Sequence, residues 1–372
     1  MYYFDHSATT PVHPEVSELM DSIQSTIYGN PSSIYSSGQK AKSVVENARR
    51  QIAESISAEP EQIIFTSGGT ESNNQVLWYM LQNQKKHVIS NDIEHPAVIK
   101  VLEFLKPFGL DHTLINVDSD GIISIDNVKK AINPQTSLIS LMLANNEIGS
   151  IQPIKTVMDI ARENNIMVHS DAVQCMGKME LDVIDLGVDF LSLSAHKFYG
   201  PKGIGILYAK EPKNMSSLII GGGQEMGLRA GTENVACIAG MGLAAKLATA
   251  SIDKHINSLL EFEEQFKRGL QTFFPNAIFN GSQVNKLPGL INVSFPKHRS
   301  DILMAKLDRV NIAISNGSAC GAGDIKPSPV LSAMGIEDTI NLSTLRFSFG
   351  KSNTPEQIDY LLNQLKSILT PE

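Results

Sequence analysis

A chain of 372 residues has room for roughly two to three domains, and its 42% hydrophobic and 19% charged residues are typical of a folded globular protein. The formal net charge of −8 argues against binding to a nucleic-acid backbone as the main role. No basic segment followed by an apolar one opens the chain, and no apolar run approaches the roughly 20 residues that span a bilayer. We therefore expect a cytoplasmic protein without a membrane partner. Its three cysteines, odd in number and far apart, make no disulfide framework.

From residue 14 to about residue 209 the hydrophobic pattern alternates between helices and strands. Apolar residues at helical spacing predict helices over residues 14–28, 37–57, 97–108 and 154–164. Short apolar runs predict strands over residues 62–69, 87–90, 112–117, 137–144, 166–172, 190–195 and 203–209. This alternation is typical of an α/β domain with a mainly parallel sheet that is covered on both faces.

The pattern changes from about Thr232. A long helical region through Phe273 leads into shorter strands over residues 290–295, 312–315 and 345–350, mixed with helices. We therefore predict a large α/β domain over residues 14–250. Residues 1–13 and 251–372 would form a smaller α+β domain, with the long helix as the join.

Lys197 stands where a predicted strand gives way to a polar loop, in the segment FLSLSAHKFYGPKG. A buried lysine is costly unless its amine loses the charge or gains a partner. A Schiff base with a carbonyl compound removes that charge, and such lysines are nucleophiles that are activated by partial burial. A surface lysine on a loop is the alternative, and these residues alone favour it.

Other predicted strands also end in polar residues, and the carboxyl ends of parallel strands are where ligands gather. Gly69 and Thr70 open a helix and could offer amides to an anion, although helix capping also explains them. Asp171 fits either a buried carboxylate with a cationic partner or a helix N-cap. His95 and Asn146 fit a site, a surface position or a turn. No further residues at metal-ligand spacing accompany Asp171, so we expect no metal site.

Ten segments between Phe4 and about Thr354 form a larger pattern. They are FDHSATTPV, YGNPSS, TSGGTESNN, EHPAV, ANNEIGSIQP, HSDAVQ, SAHKFYGPKG, GGGQEMGLRAGTEN, SNGSACGAG and LRFSFGKSNT. In this order they resemble the NifS-like cysteine desulfurases, the IscS/NifS group of the class V aminotransferase family. The resemblance implies the aspartate-aminotransferase-like fold and pyridoxal 5'-phosphate (PLP) as the cofactor. It also implies L-cysteine as the substrate.

The resemblance gives each matching residue a role around PLP. Lys197 would bind the cofactor covalently and move the substrate's Cα proton, while His95 would stack on the ring and act as an acid or base. Asp171 would pair with the pyridine nitrogen, and Gln174 would hydrogen-bond the phenolic oxygen. The phosphate would be held by Gly69, Thr70, Ser194 and His196, and by Thr232 from the other subunit of a homodimer. For Arg229, in the same motif as that threonine, a contact with this phosphate and a purely structural role are equally plausible.

Arg346 lies in an otherwise apolar predicted strand, where an unpaired guanidinium would be costly. Its planar fork matches a carboxylate. By resemblance this carboxylate belongs to the substrate, with Asn146 assisting at the cofactor and the substrate. An internal acidic partner is the less favoured alternative.

Cys320 decides between sulfur removal and transamination. By the resemblance, its thiolate would attack the substrate's Sγ and keep the sulfur as a persulfide. Its segment, SNGSACGAG, is rich in glycine and therefore permissive in backbone conformation, which suits a thiol that reaches into a pocket and then delivers sulfur. Cys175 and Cys237 fit small buried apolar positions better.

The GSAC motif resembles the long-loop group of desulfurases, which pass sulfur to iron–sulfur scaffold proteins or to tRNA-thiolation enzymes. Gly321 and Ala322 depart from the family's usual Thr-Ser, His6 from its usual Asn or Tyr, and Tyr35 from its usual His. We therefore expect a homodimeric cysteine desulfurase that passes sulfur to an acceptor protein and makes no direct contact with nucleic acid. A selenocysteine lyase or another class V enzyme is the alternative.

Overall fold

The strands of the described chain form three sheets. The computed structural model describes residues 1–316 and 326–370. Its strands are β1 (Tyr2–Tyr3), β2 (Ile63–Thr66), β3 (His87–Asn91), β4 (Asp111–Ile115), β5 (Thr136–Ser140), β6 (Met167–Asp171), β7 (Phe190–Ser194), β8 (Gly205–Ala209), β9 (Ile278–Asn280), β10 (Leu290–Ser294), β11 (Ile312–Ala313) and β12 (Thr344–Ser348). The largest sheet has the order β2-β8-β7-β6-β5-β3-β4, a three-stranded sheet has the order β12-β10-β9, and β1 pairs with β11.

The seven-stranded sheet is parallel apart from one strand. The strands from β4 through β3, β5 and β6 to β7 pair in parallel, whereas β8 runs antiparallel to both β7 and β2. All residues of β5, β7 and β8 are buried. None of these three strands carries a charged residue, as expected where both faces of a sheet are covered. The predicted α/β fold with a mainly parallel central sheet is thereby confirmed.

Helices pack against both faces of this sheet. The α-helices of the described chain are α1 (Pro14–Thr26), α2 (Ser36–Ser55), α3 (Gly69–Met80), α4 (Pro96–Leu105), α5 (Ile125–Ala131), α6 (Ile154–Glu163), α7 (Val183–Leu186), α8 (Val235–Ala250), α9 (Ile252–Phe273), α10 (Ser300–Arg309), α11 (Pro329–Ala333), α12 (Asp338–Asn341) and α13 (Pro355–Leu369). Ile139 shares a core with residues of α2, α6 and α8, while Leu138 shares one with residues of α3 and α4. Because neighbouring side chains of a strand point to opposite faces, these two cores lie on opposite sides of the sheet.

A further core, called here the C-terminal core, lies between α9, α13 and the three-stranded sheet. It contains Phe266, Phe347 and Phe349, together with Phe4 from the start of the chain. The N-terminal segment therefore packs with the last third of the chain. The division into residues 14–250 and the remainder stays a prediction.

The predicted helical region over residues 232–273 is two helices rather than one. The helices α8 and α9 meet at Ser251 with a bend of 72°. Among the described residues no single helix is long and apolar enough to cross a membrane, and only this bent pair meets the same criteria of length and composition when its halves are joined.

The predicted strand over residues 137–144 ends earlier, at Ser140. Beyond it, the amides of Leu141 and Leu143 still donate to the carbonyls of His169 and Asp171 on β6, at 3.0 and 2.8 Å. The backbone therefore stays extended alongside β6 as far as the loop that carries Asn146. This pairing satisfies a buried segment that is no longer part of the regular ladder.

A buried ion pair ties α2 to the loop that precedes α8. Arg49 donates from Nη2 and Nη1 to the two carboxylate oxygens of Glu225, at 2.7 and 2.9 Å. Arg49 also donates to the carbonyl of Ile63 at 2.7 Å, and Glu225 accepts from the amide of Phe65 at 2.8 Å. Both side chains are about 6% exposed. The pair therefore fixes this loop to the first strand of the large sheet.

We expect Glu225→Ala to lower the free energy of unfolding by about 3 kcal/mol, because the buried guanidinium of Arg49 then keeps only one ion pair in the described chain, the longer contact of its Nε with Glu46, at 3.3 Å. Urea unfolding followed by circular dichroism measures the change. Lys155→Ala is the control, since it removes an ion pair with Asp185 whose two side chains are about 60% exposed. It should cost less than about 1 kcal/mol. Equal small losses for the two variants would contradict the role given to the buried pair.

Candidate active site

A cavity of about 1380 Å³ lies at the carboxyl ends of the large sheet's parallel strands, beside the C-terminal core. Ten of the predicted site residues line it: Gly69, Thr70, His95, Asn146, Asp171, Gln174, Ser194, His196, Lys197 and Arg346. Thr232 is exposed and lies outside the lining. Cys320 lies outside the described residues.

Lys197 enters the cavity from the end of β7, where the strand turns into a single 3-10 turn, Ala195–Lys197. Its Nζ donates to the backbone carbonyls of Ser7 and Ala8, at 2.6 and 2.8 Å. The N-terminal segment thus crosses under the end of the strand and holds the amine in place. The sequence predicted the lysine but not its two carbonyl acceptors, because no residue pattern indicates a backbone contact between residues that are 190 positions apart.

Burial, together with the charges of Lys178 and Arg346, lowers the pKa of Lys197 to about 7. The two carbonyl contacts favour the ammonium form, but the loss of water around the amine outweighs them. A large fraction of the side chain is therefore neutral at pH 7. A neutral amine is the form that attacks a carbonyl carbon.

Asp171 is the last residue of β6 and is buried at the cavity. Its Oδ2 accepts from Asn73 Nδ2 at 2.6 Å, and its Oδ1 accepts from the amide of Val173 at 3.0 Å. Asn73, on α3, is a site residue that sequence reasoning missed. The signal was available, since the segment TSGGTESNN puts Asn73 one turn into a helix that starts at the cavity.

His95 caps α4, and its Nδ1 accepts from the amide of Ala97 at 3.1 Å. In the neutral ring the hydrogen is then on Nε2, because Nδ1 is occupied as an acceptor. The loss of water around the ring lowers the pKa of His95, and Lys197 adds to this, while Asp171 acts in the opposite direction. His95 is therefore a neutral imidazole at pH 7, with Nε2 as the donor.

The preceding residue, Glu94, was not predicted as a site residue, although it also lines the cavity. Its Oε1 accepts from Asn91 Nδ2 at 2.8 Å and from the amide of Met142 at 2.6 Å. Its Oε2 is buried without a partner in the described chain. Burial raises the pKa of Glu94 well above the ordinary value. The loss of water around this carboxyl group therefore favours its protonated form.

The start of α3 forms an anion-binding end of the cavity. A Cβ on Gly69 would lie 2.5 Å from Val173 Cγ2, so only glycine lets the helix approach the neighbouring loop this closely. The first amides of a helix have no partner within it, and they point outward at its positive end. Ser194 and His196 face the same end. Burial lowers the pKa of His196 to about 4, so at pH 7 its ring is a neutral hydrogen-bonding group.

Arg346 is 2% exposed and lies on β12. Its Nη2 donates to Asp5 Oδ1 at 2.7 Å and its Nη1 to the carbonyl of Asn146 at 2.9 Å. The internal acidic partner that the sequence did not favour is therefore present. The Nε atom has no partner in the described chain. Arg346 lines the cavity, while this unpaired Nε is itself buried.

Arg229 has the structural contact that the sequence left open. It donates from Nε to Glu71 Oε1 at 3.0 Å, and Glu71 Oε2 accepts from the amide of Ser67 at 2.8 Å. These contacts brace the turn before α3. Arg229 reaches the anion-binding end through Glu71 rather than directly.

Neither cysteine in the described chain has the character of a nucleophile. Cys175 is fully buried and Cys237 is partly buried. Burial raises the pKa of both thiols, so each stays protonated at neutral pH.

The model of the aminotransferase class-V family matches residues 2–361. A cysteine desulfurase IscS from Dictyoglomus turgidum is 43% identical over 370 residues, which are 99% of this chain and 94% of the relative. The chain belongs to the class-V aminotransferase family, among its cysteine desulfurases. The solved structure of a NifS-like protein has a TM-score of 0.93 and 36% identity, with 99% of both chains covered. A second structure, SspA in complex with cysteine, has a TM-score of 0.81 and 35% identity over 95% of this chain and all of that one.

The cysteine desulfurase family uses PLP, and the cavity residues fit that cofactor. The glycine-lined helix start, with its free amides, fits a phosphate. Asp171, held by two donors, fits a protonated pyridine nitrogen. Lys197, with its lowered pKa, fits an aldehyde. The guanidinium of Arg346, which lines the cavity, fits a carboxylate of an amino-acid substrate.

We expect Lys197 in the cofactor-free protein to react with PLP with a pH dependence centred near pH 7. The neutral amine is the reactive form, so labelling should be weak below pH 6 and level off above pH 8, about one unit on either side of that pKa. Borohydride reduction followed by peptide mass spectrometry measures the modified fraction of Lys197. The Lys197→Ala variant controls for labelling elsewhere. A midpoint near 10, the range of a solvated lysine, would contradict the effect of burial.

Proposed function

We propose that the chain converts L-cysteine to L-alanine with PLP as its cofactor, and that the sulfur passes to Cys320 as a persulfide. The observation that supports this most directly is that an amine with a lowered pKa, Lys197, shares one cavity with the buried guanidinium of Arg346. The first suits a carbonyl cofactor and the second an amino-acid carboxylate.

Arg346 and Asn146 would orient the substrate. Asp5 holds the guanidinium from one side and the Asn146 carbonyl from another, so the orientation of the guanidinium is fixed before the substrate arrives. A donor that needs no rearrangement on binding keeps the loss of conformational entropy small. The amino group of the substrate is thereby directed toward Lys197.

Proton transfer at Cα falls to Lys197, whose pKa of about 7 lets the amine both accept and return a proton near neutral pH. Bound PLP would supply an electron sink that stabilises negative charge at the substrate's Cα. Asp171 would keep the pyridine nitrogen protonated, because its two hydrogen bonds hold the carboxylate in place.

In the sulfur step, a sulfur atom passes from the substrate to the thiol of Cys320. The thiolate of Cys320 attacks the substrate's Sγ, an S–S bond forms, and the Cβ–Sγ bond breaks with its electron pair left on Cβ. Cβ then takes up a proton and becomes the methyl group of alanine. The enzyme thiol is oxidised to a persulfide and the substrate carbon is reduced, so no external oxidant or reductant is required.

His95 would act first as an acid in this sequence. Its Nδ1 accepts from the amide of Ala97, which leaves the hydrogen on Nε2. To act as a base at Nε2, the neutral ring would need the other tautomer, which breaks the helix cap at a cost of about 1 kcal/mol.

The decisive test is Cys320→Ser. We expect cysteine turnover to fall at least about a hundredfold because the nucleophile is lost, while the visible absorbance of bound PLP is retained. Alanine and sulfide assays measure turnover. Cys237→Ser is the matched control, since that thiol is partly buried and lies on α8, and it should keep full activity. Full turnover by the Cys320 variant would favour another class V reaction. A wild-type chain without PLP absorbance would contradict the proposal as a whole.

We also propose a homodimer in which Thr232 completes the phosphate site of the other subunit. Thr232 is exposed and outside its own cavity. Two large apolar side chains on the loop just before it are also exposed, Ile220 by 90% and Met226 by 54%. Exposed apolar side chains of this size are typical of surfaces that another protein covers.

Mixed dimers test this arrangement. We expect Thr232→Ala to weaken PLP binding about tenfold, the effect of losing one hydrogen bond to a charged group. Mixing the Thr232→Ala and Lys197→Ala variants creates dimers in which one subunit offers an intact Lys197 and the other an intact Thr232. At a PLP concentration between the two dissociation constants, the mixture should be more active than the sum of the separate variants. Activity equal to that sum would show that Thr232 does not act across the dimer.

The sulfur acceptor that we propose is a protein, either an iron–sulfur scaffold or a tRNA-thiolation enzyme, and the reaction is proposed to take place in the cytoplasm. The net charge of −8 supports a protein acceptor over direct contact with nucleic acid.

A further inference from the structure

Lys178 lies behind the predicted cofactor contact Gln174, outside the main cavity. It is 7% exposed, and its Nζ donates to Gln174 Oε1 at 3.2 Å. Within the described residues this is the only hydrogen bond that Nζ makes. A buried lysine whose one acceptor is a side-chain amide has its orientation fixed by that amide, and it fixes the amide in return.

The contact determines which way the Gln174 amide faces. Gln174 Nε2 donates to the carbonyl of Ser7 at 2.9 Å, while Oε1 accepts from Lys178. In the reversed orientation, Nε2 would face the donors of Lys178 and Oε1 would face a carbonyl oxygen. Both contacts would be repulsive. The NH2 group therefore stays on the cavity side, where one of its two hydrogens is taken by Ser7 and the other is free.

Lys178 also brings a charge. Burial lowers its pKa to about 8, so it is largely an ammonium at pH 7. It lines a small second cavity of about 10 Å³, and none of the residues around that cavity carries a carboxylate. The titratable groups that face it or act on it are His6, Cys175, Lys197, Tyr199, His255, Arg346 and Lys351. The ammonium is therefore without a neutralising carboxylate in this lining, and Gln174 lies between it and the main cavity.

We propose that Lys178 is a positioning residue, which fixes Gln174 with Nε2 toward the phenolic oxygen of PLP and places a positive charge behind that amide. The inference rests on the proposed function, because it requires bound PLP. A donor and a nearby positive charge both stabilise the deprotonated phenolic oxygen. Lys178 thereby lowers the apparent pKa of the bound cofactor without touching it.

The experiment is a pH titration of the visible absorbance of the PLP-loaded enzyme. We expect Lys178→Met to raise the apparent pKa of the visible band by about 1 unit, since it removes both the orienting contact and the charge. Lys351→Met is the matched control. Lys351 borders the same small cavity, but it is exposed, lies over the Tyr199 ring and makes no contact with Gln174. It should leave the pKa unchanged.

A second variant and a double variant separate positioning from a general structural role. Lys178→Gln keeps a donor without the charge, so a smaller rise is expected, and this variant carries the test if Lys178→Met does not fold. In a Gln174→Ala background, Lys178→Met should add a smaller shift than it causes in the wild-type chain, because the orienting contact is already lost and only the charge remains to be removed. An unchanged pKa in folded Lys178 variants, or full additivity with Gln174→Ala, would overturn the inference. A wild-type protein without a visible band would instead contradict the proposed function.

Discussion

The cavity depends on the path of one short segment, residues 5–10, between the large sheet and the C-terminal core. Within it, Asp5 binds Arg346, and the carbonyls of Ser7 and Ala8 bind Lys197. Each of these contacts joins residues that are about 190 or more positions apart in the chain. The amine and the guanidinium that define the two ends of the proposed substrate are therefore held by the same few residues. Backbone carbonyls hold the amine, and the side chain of Asp5 holds the guanidinium.

The same segment continues along the turn after β7. Thr9 Oγ1 lies 3.1 Å from His196 Nδ1, and the amide of Thr10 donates to the His196 carbonyl at 2.8 Å. The N-terminal segment thus braces the lysine-bearing turn from Ser7 to Thr10. Because the segment's first residues also belong to the C-terminal core through Phe4, a movement of that core relative to the sheet would be transmitted directly to Lys197.

Hydrophobic patterning was sufficient to predict the seven strands of the large sheet and several of the long helices, but not the short strands β1 and β9. Strands such as β7 and β10 are short, mainly apolar segments, and their predicted bounds agree within a residue or two. The sequence did not predict that residues 232–273 divide into two helices at Ser251. The helix α8 is apolar on most sides, with 9 of its 16 residues buried. Its sequence therefore has no polar face whose change of direction would indicate the bend. Chemistry at strand ends predicted the positions of Asp171 and Lys197.

What sequence reasoning could not provide were contacts between distant parts of the chain. Asn73, Glu94 and Lys178 stand beside predicted residues in the sequence, yet their roles depend on partners that only folding supplies. The Asp5 contact of Arg346 is of the same kind. A buried guanidinium predicts that some carboxylate is near, but not whether it belongs to the protein or to a ligand. Here the protein supplies the carboxylate of Asp5, and the same guanidinium still lines the cavity.

His6, one of the departures from the family pattern, shows how the segment tolerates change. A Cβ on Gly350 would lie 2.3 Å from His6 Nδ1, so the ring fills space that only a glycine leaves open. Burial and the neighbouring Lys178 lower the pKa of His6 to about 4, and the ring is neutral at pH 7. A charged ring there would add to the positive charge of Lys178 and lower the pKa of Lys197 further. Because it stays neutral, the histidine does not alter the protonation of the amine on which the site depends.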